Sequence, residues 1–170
     1  MNVCTIGHGT RPIEELIECL GQGGVRTLVD VRRFPGSRRN PQFNQTALES
    51  SLESSGIAYR HAVDLGGRRS GLPGEDRFGC LPAFAGYAAW MTTEHFGQAL
   101  EQALAEPSPC LMCAETVPWR CHRLLVADLL TARGHDVLHL LRSHEVRPHR
   151  LSEVAEARDG CLYVCGSLVA

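Results

Sequence analysis

The sequence predicts a three-layer α/β domain built on a mainly parallel sheet. Three observations carry that expectation: short apolar runs such as Val3-Cys4-Thr5-Ile6-Gly7 that read as buried strands, amphipathic stretches between them, and glycines or prolines at the joints. Strands covered on both faces are near-continuously apolar, as parallel sheets sandwiched by helices require. The length fits one domain, taken as residues 1–170: a chain of 170 residues buries roughly 70% of its unfolded surface without help from disulfides or metal.

Residues 3–7 form the first strand. Thr10 is placed to cap a helix with Pro12 in its first turn, and Ile13, Leu16, Ile17 and Leu20 recur at helical spacing until Gly21 to Gly24 end it. Residues 27–31 (TLVDV) complete a β-α-β unit, which implies a right-handed crossover between parallel strands. A polar loop with two prolines covers 32–44. Helical spacing of Leu48 and Leu52 places a helix at 46–55, closed by Gly56, and a third strand at 57–63. Residues 65–82, rich in glycine and charge, read as a long surface excursion of the kind that covers binding sites. Helices are expected at 84–91 and 96–105, a fourth buried strand at 110–114, a helix from Pro118 to Gly134 and a fifth strand at 137–141. A weak helix at 152–157 and a strand at 161–164 close the chain.

Several classes are disfavoured by composition. No apolar run approaches the roughly 20 residues needed to cross a bilayer. MNVCTIGHGT lacks the basic and apolar segments of a signal peptide, so a cytoplasmic location is expected and no membrane partner. The eight cysteines are accordingly expected as reduced thiols, several of them packed as small hydrophobes in strands. The net charge of −2 gives no overall attraction to polyanions, yet all 17 cationic residues are arginine. Arginine grips phosphate and carboxylate with a planar fork, so its clustering matters.

In a parallel sheet, ligands sit beyond the carboxyl ends of the strands. That rule selects the loops starting at Gly7-His8-Gly9, Asp30-Val31-Arg32-Arg33, Leu65-Gly66-Gly67 and Cys113-Ala114-Glu115. The segment DVRRFPGSRRNPQF sets Arg32, Arg33, Arg38 and Arg39 close together beside Asp30, Ser37 and Asn40, a density of positive charge that an anion relieves. His8 follows the first strand and can exchange protons near neutral pH. No dinucleotide or P-loop glycine fingerprint is present.

CAETVPWRCHR, residues 113–123, is the densest chemical stretch. Its Cys-x6-Arg spacing and internal Glu115 depart from a thiol-phosphatase loop, and weaken a sulfur-transferase reading likewise. A zinc site from Cys110, Cys113, Cys121 and His122 is disfavoured because residues i and i+3 of a strand face opposite ways; no metal ligands are assigned. With Pro118 in the first turn, Cys121-His122-Arg123 are expected to open the helix, where exposed amides lower a thiol pKa. Arg120 and Arg123, three apart, would share one face.

These segments resemble, in order, the DUF488 domain family. TIGHG is similar to its opening motif, with Gly9 where a serine is usual. DVRRFPGSRRNPQF, LGGRR, FAGYAAWM and LMCAETVPWRCHRLLVADLL match its further elements, followed by a strand like VLHL. The resemblance implies a Rossmann-like fold with a pocket lined by His8, Asp30, Arg32, Ser37, Arg38, Cys113, Glu115, Cys121, His122 and Arg123. It supplies no cofactor or substrate. The expected function is an enzyme for a small anionic, phosphate- or nucleotide-like substrate. In it, His8, Asp30, Arg32, Ser37, Arg38 and Arg123 bind, and Cys113, Glu115, Cys121 and His122 carry the chemistry. Two alternatives stand beside it: a nucleic-acid-binding module using the arginine loop, against which stand the acidic balance and only ten aromatics, and a metal or redox thiol protein.

Overall fold

The computed structural model describes residues 1–170. Six strands form the central sheet in the order β3-β2-β4-β1-β5-β6. They are β1 (Asn2–Gly7), β2 (Thr27–Asp30), β3 (Ala58–His61), β4 (Pro109–Cys113), β5 (Asp136–Arg142) and β6 (Glu145–Pro148). All neighbours pair parallel except β5 with β6. Five helices flank it: α1 (Ile13–Gln22), α2 (Gln45–Glu53), α3 (Ala85–Met91), α4 (Glu94–Leu104) and α5 (Arg123–Ala132). This is the expected three-layer, Rossmann-like architecture. No helix is long and apolar enough to cross a membrane.

Alternation along the strands divides the core in two. Cys4, Ile6, Leu28, Cys110 and Met112 face α1 and α2 with Leu16, Leu20, Leu48 and Leu52. Val3, Val29, Leu111 and Cys113 face the other way, toward Tyr87, Phe96, Leu100, Leu125 and Leu129. Successive side chains of a strand point to opposite faces, so the central strands β1, β2 and β4 are buried on both sides. The helix after β1 therefore packs on one face and the helix after β4 on the other. Because β1 and β4 are neighbours, their carboxyl ends form a topological switch point, where a crevice opens.

Local differences from the sequence expectations have clear causes. Thr10 does not cap α1; Pro12 takes the N-cap position with extended backbone and no side-chain hydrogen bond. Only α4 shows a side-chain cap, with the Thr93 hydroxyl accepting from the Phe96 amide. Residues 152–157 are not a weak helix. A turn there leads into β7 (Ala155–Arg158), which pairs antiparallel with β8 (Cys161–Val164), and β8 with β9 (Ser167–Leu168). The expected strand at 161–164 thus belongs to a second, three-stranded sheet. Leu162, Val164 and Val169 pack it against the α5 side of the core. The expectation of eight free thiols fails at one pair: Cys80, at the end of the glycine-rich excursion, is disulfide-bonded to Cys165 after β8. Their separation of 85 residues left that pairing invisible in the sequence.

Candidate functional site

A cleft of about 810 Å³ opens over the carboxyl ends of β1, β2 and β4. Its floor is built by close backbone approach. The amides of His8 and Gly9 donate to the carbonyls of Cys113 and Ala114, extending the β1–β4 ladder past both strand ends. A Cβ at Gly7 would collide with the Glu115 carbonyl, and one at Gly9 with the Thr116 hydroxyl. Gly9 also lies at φ +53°, a conformation glycine adopts without strain. Thr116 thus fills the space beside Gly9.

Cys113 ends β4, and Cys121 lies in extended backbone between a short turn at Pro118–Arg120 and α5. Both line the cleft floor, and their sulfurs are 2.9 Å apart. Cys121 is therefore not on the first turn of the helix as expected. What polarises the pair is Arg123, a guanidinium only 1% exposed. Its Nε donates to Cys113 Sγ at 2.9 Å, Nη1 to Thr5 Oγ1 at 3.3 Å and Nη2 to the Glu115 carbonyl at 2.5 Å. The two sulfurs are within hydrogen-bonding distance, and either can be the donor. The hydrogen bond from Cys113, with His122 and Arg123 adjacent, pulls Cys121 far below the ordinary thiol range, while burial and the same hydrogen bond push Cys113 well above it. The opposite directions favour one ionised and one protonated sulfur, with the buried guanidinium beside them.

Arg123 is itself the head of a polar chain that the sequence reading missed. Thr5 Oγ1 lies 2.7 Å from His139 Nδ1, His139 Nε2 lies 2.9 Å from His149 Nδ1, and His149 Nε2 lies 2.9 Å from Asp128 Oδ1. One choice of ring tautomers lets every donor point the same way, from guanidinium to carboxylate. Burial, with His149 and Arg123 nearby, lowers the His139 pKa to about 3, which keeps that ring neutral. Asp128 is fully buried and also accepts from the Ser152 amide and hydroxyl, so both carboxylate oxygens are hydrogen-bonded. Thr5 and His139 are direct partners on β1 and β5. Only that register brings together groups 134 residues apart.

The second half of the cleft starts at Asp30. This fully buried carboxylate accepts from Arg32 Nε and Nη2 at 2.8 and 2.6 Å, from the Arg32 amide and from the Tyr59 hydroxyl. Asp30 is thus a buried anchor beneath the cleft wall, and Arg32 is neutralised by it. Arg32 Nη1 sits 3.3 Å from His8 Nε2, and His8 stacks on Phe43 at 4.3 Å. Burial lowers the His8 pKa to about 4, so this ring is neutral near pH 7. Ser37 lines the cleft but is occupied in shaping its loop, accepting from the Asn40 amide and donating its own amide to Asn44.

Not every expected residue converges. Arg38 is exposed and does not line the cleft, whereas its neighbour Arg39 does. In an irregular loop, the sequence carries no period that tells one from the other. Arg123 lies beneath the floor, not on it, and Arg120 stands on the wall, so the two share no common face. Glu115 lines the cleft and is exposed; its main chain, rather than its carboxylate, meets Arg123. His122 packs on Tyr87 with ring centroids 4.7 Å apart, holds Nδ1 3.5 Å from Cys121 Sγ, and leaves Nε2 without a hydrogen-bond partner. The absence of a side chain at Gly67 makes room for that ring. Cys110 faces the opposite core from Cys113, and no three His, Cys, Asp or Glu side chains form a metal-holding group.

Above the floor the cleft is strongly cationic. Its lining includes Arg32, Arg33, Arg39, Arg68, Arg69 and Arg120, against one carboxylate, Glu115. The ion pairs of the chain involve none of these arginines except Arg32. Arg68 and Arg69 come from the glycine-rich excursion, a loop the sequence reading selected without naming these two residues.

A family model described as "Domain of unknown function DUF488" matches residues 12–130. No curated protein and no solved structure matches the chain. The matched span includes the arginine loop, the glycine-rich excursion and the CAETVPWRCHR segment, but ends before His139 and His149.

Proposed function

Since this chain belongs to the DUF488 family, whose description assigns no activity, we propose from the cleft itself that it is an enzyme acting on a small anionic substrate. In this reading the thiolate shared by Cys113 and Cys121 is the reacting group. The observation that carries the reading is the charge arrangement. Five lining arginines have no ion-pair partner in the protein, above a sulfur pair whose single negative charge is already balanced from below by Arg123. Unpaired guanidinium groups concentrated in a concave wall raise the local concentration of anions and grip phosphate or carboxylate with two bonds each.

Arg39, Arg69 and Arg120 are the anchors for the anion, and Arg32, held by Asp30, is the oriented donor nearest His8. Cys121 attacks, Cys113 keeps the shared proton, and His122 Nδ1 beside Cys121 receives or returns a proton. The exposed carboxylate of Glu115 disfavours binding of a second anion at the cleft mouth.

Alkylation with charged and neutral reagents tests this. Iodoacetate and iodoacetamide differ by one negative charge, and the cleft should favour the anion. The ratio of their rates at Cys121 is expected to exceed the ratio in urea-unfolded protein by roughly tenfold or more, and added sulfate should slow both. A folded-state ratio equal to the unfolded one, unaffected by sulfate, contradicts an anion-binding cleft over a reactive thiolate.

A further inference from the structure

Cys113 and Cys121 are more than one nucleophile with a neighbour. Their sulfurs already touch at 2.9 Å. A disulfide requires about 2.05 Å, so closure asks for an approach of roughly 0.9 Å. Both sulfurs line the same cleft, so a substrate reaching one is within reach of the other. The backbone around Cys121 is non-helical, between a short turn and α5, so it can shift without breaking a helix. Arg123 contacts Cys113 through Nε, which places a permanent positive charge beside the sulfur that must lose its proton second.

Resting on the thiolate reading above, we propose that the pair is an attacking and a resolving thiol for thiol–disulfide exchange with small disulfides that carry carboxylate groups. The Cys121 thiolate attacks one sulfur of the substrate R–S–S–R, forms Cys121–S–S–R and releases R–S⁻. Cys113 then gives its proton to the departing thiolate and attacks the Cys121 sulfur, forming the Cys113–Cys121 bond and releasing the second R–S⁻. The protein loses two electrons and the substrate disulfide gains them, yielding one R–SH and one R–S⁻. The rim arginines supply the preference for acidic R groups, and the cleft of about 810 Å³ is large enough for a substrate of that size. The reverse reaction, in which two acidic thiols reduce the pair, uses the same steps.

The probe is dithiodiglycolate, a disulfide with two carboxylates, compared with cystamine, its cationic counterpart. Protein is first reduced, then exposed to each, quenched with acid and digested with trypsin. Cleavage after Arg120 separates the two cysteines, so a Cys113–Cys121 bond joins the tripeptide 121–123 to the peptide ending at Arg120, and fragmentation identifies the partner sulfur. The expected result is that linkage, with two small thiols released for each Cys113–Cys121 bond formed, and formed at least about tenfold faster with the anionic probe. C113S should stop at a stable mixed disulfide on Cys121, and C121S should form neither product.

If wild-type protein gives no Cys113–Cys121 linkage while Cys121 still alkylates with the anion preference described above, the exchange proposal falls and the thiolate reading stands. Equal rates with cystamine overturn the acidic substrate class. If Cys121 neither alkylates nor exchanges, both readings fall together.

Discussion

Replacing Arg123 by methionine is expected to destabilise the fold by about 3–5 kcal/mol, the cost of breaking a buried charged cluster by removing one partner. The side chain is 1% exposed, and its three donors serve the Cys113 sulfur, the Thr5 hydroxyl and the Glu115 carbonyl. Methionine keeps an apolar stem of similar length but leaves all three acceptors without their donor in the interior, where each unpaired group is costly. The same change removes the charge that balances the thiolate, so alkylation of Cys121 at neutral pH should slow by tenfold or more. Lysine cannot restore it, because one ammonium does not span three acceptors arranged around a planar fork. Chemical denaturation and alkylation rates of R123M and R123K check both effects. A variant as stable and as reactive as the parent would show that the guanidinium neither holds the floor together nor charges the sulfurs.

The second large effect is expected at Asp30. D30N leaves the Arg32 guanidinium, 6% exposed, beside a neutral amide instead of a carboxylate, and the loss is again about 3–5 kcal/mol. Tyr59 donates to the same carboxylate at 2.8 Å, and Y59F, which removes that single hydrogen bond, should cost only about 1 kcal/mol. R38A provides the contrast. Its side chain is exposed and has no ion-pair partner, so stability should stay within about 0.5 kcal/mol of the parent. Urea midpoints of the three variants order these effects. A D30N protein no weaker than R38A would mean that the Asp30–Arg32 pair is not an anchor.

Asp30 and Arg38 also show what the sequence can and cannot convey. Asp30 was legible as a polar residue at the end of a buried strand on the ligand-binding edge, but its role as the buried partner of Arg32 was not. Arg38 and Arg39 were indistinguishable because an irregular loop has no period to assign a facing direction. The separation of Cys110 and Cys113 onto opposite faces followed from strand alternation alone. The position of Cys121 did not follow, because the chain inserts a short turn between Pro118 and Arg120 before α5 begins. Thr5, Asp128, His139 and His149 were missed for a different reason. Thr5, Asp128 and His139 each sit inside an element whose apolar pattern they do not disturb, His149 lies in the irregular segment after β6, and it is the pairing of β1 with β5 that sets Thr5 beside His139. The edge strand β6 and the strand β7 escaped because most of their residues are exposed, which leaves no core-facing alternation to detect.

The relay from Asp128 to Arg123 gives the candidate site an unusual foundation. A sulfur pair at the switch point of a parallel sheet is contacted by a guanidinium whose orientation depends on β5 and on the segment after β6, through His139 and His149. The C-terminal part of the chain thus supports the residues 113–123 on which the proposed chemistry rests. The cationic wall meanwhile comes from the loop after β2, the excursion after β3 and, through Arg120, the turn after β4.

Thiolate ultraviolet absorbance, followed against pH as the difference between the parent protein and C121S, reads the charge on the sulfur pair directly. The difference is expected to be fully present at neutral pH and to disappear only on strong acidification, since the first proton leaves the pair far below the ordinary thiol value of about 8.5. A difference that is absent at neutral pH and rises only through that ordinary range would contradict a shared-proton thiolate held by Arg123.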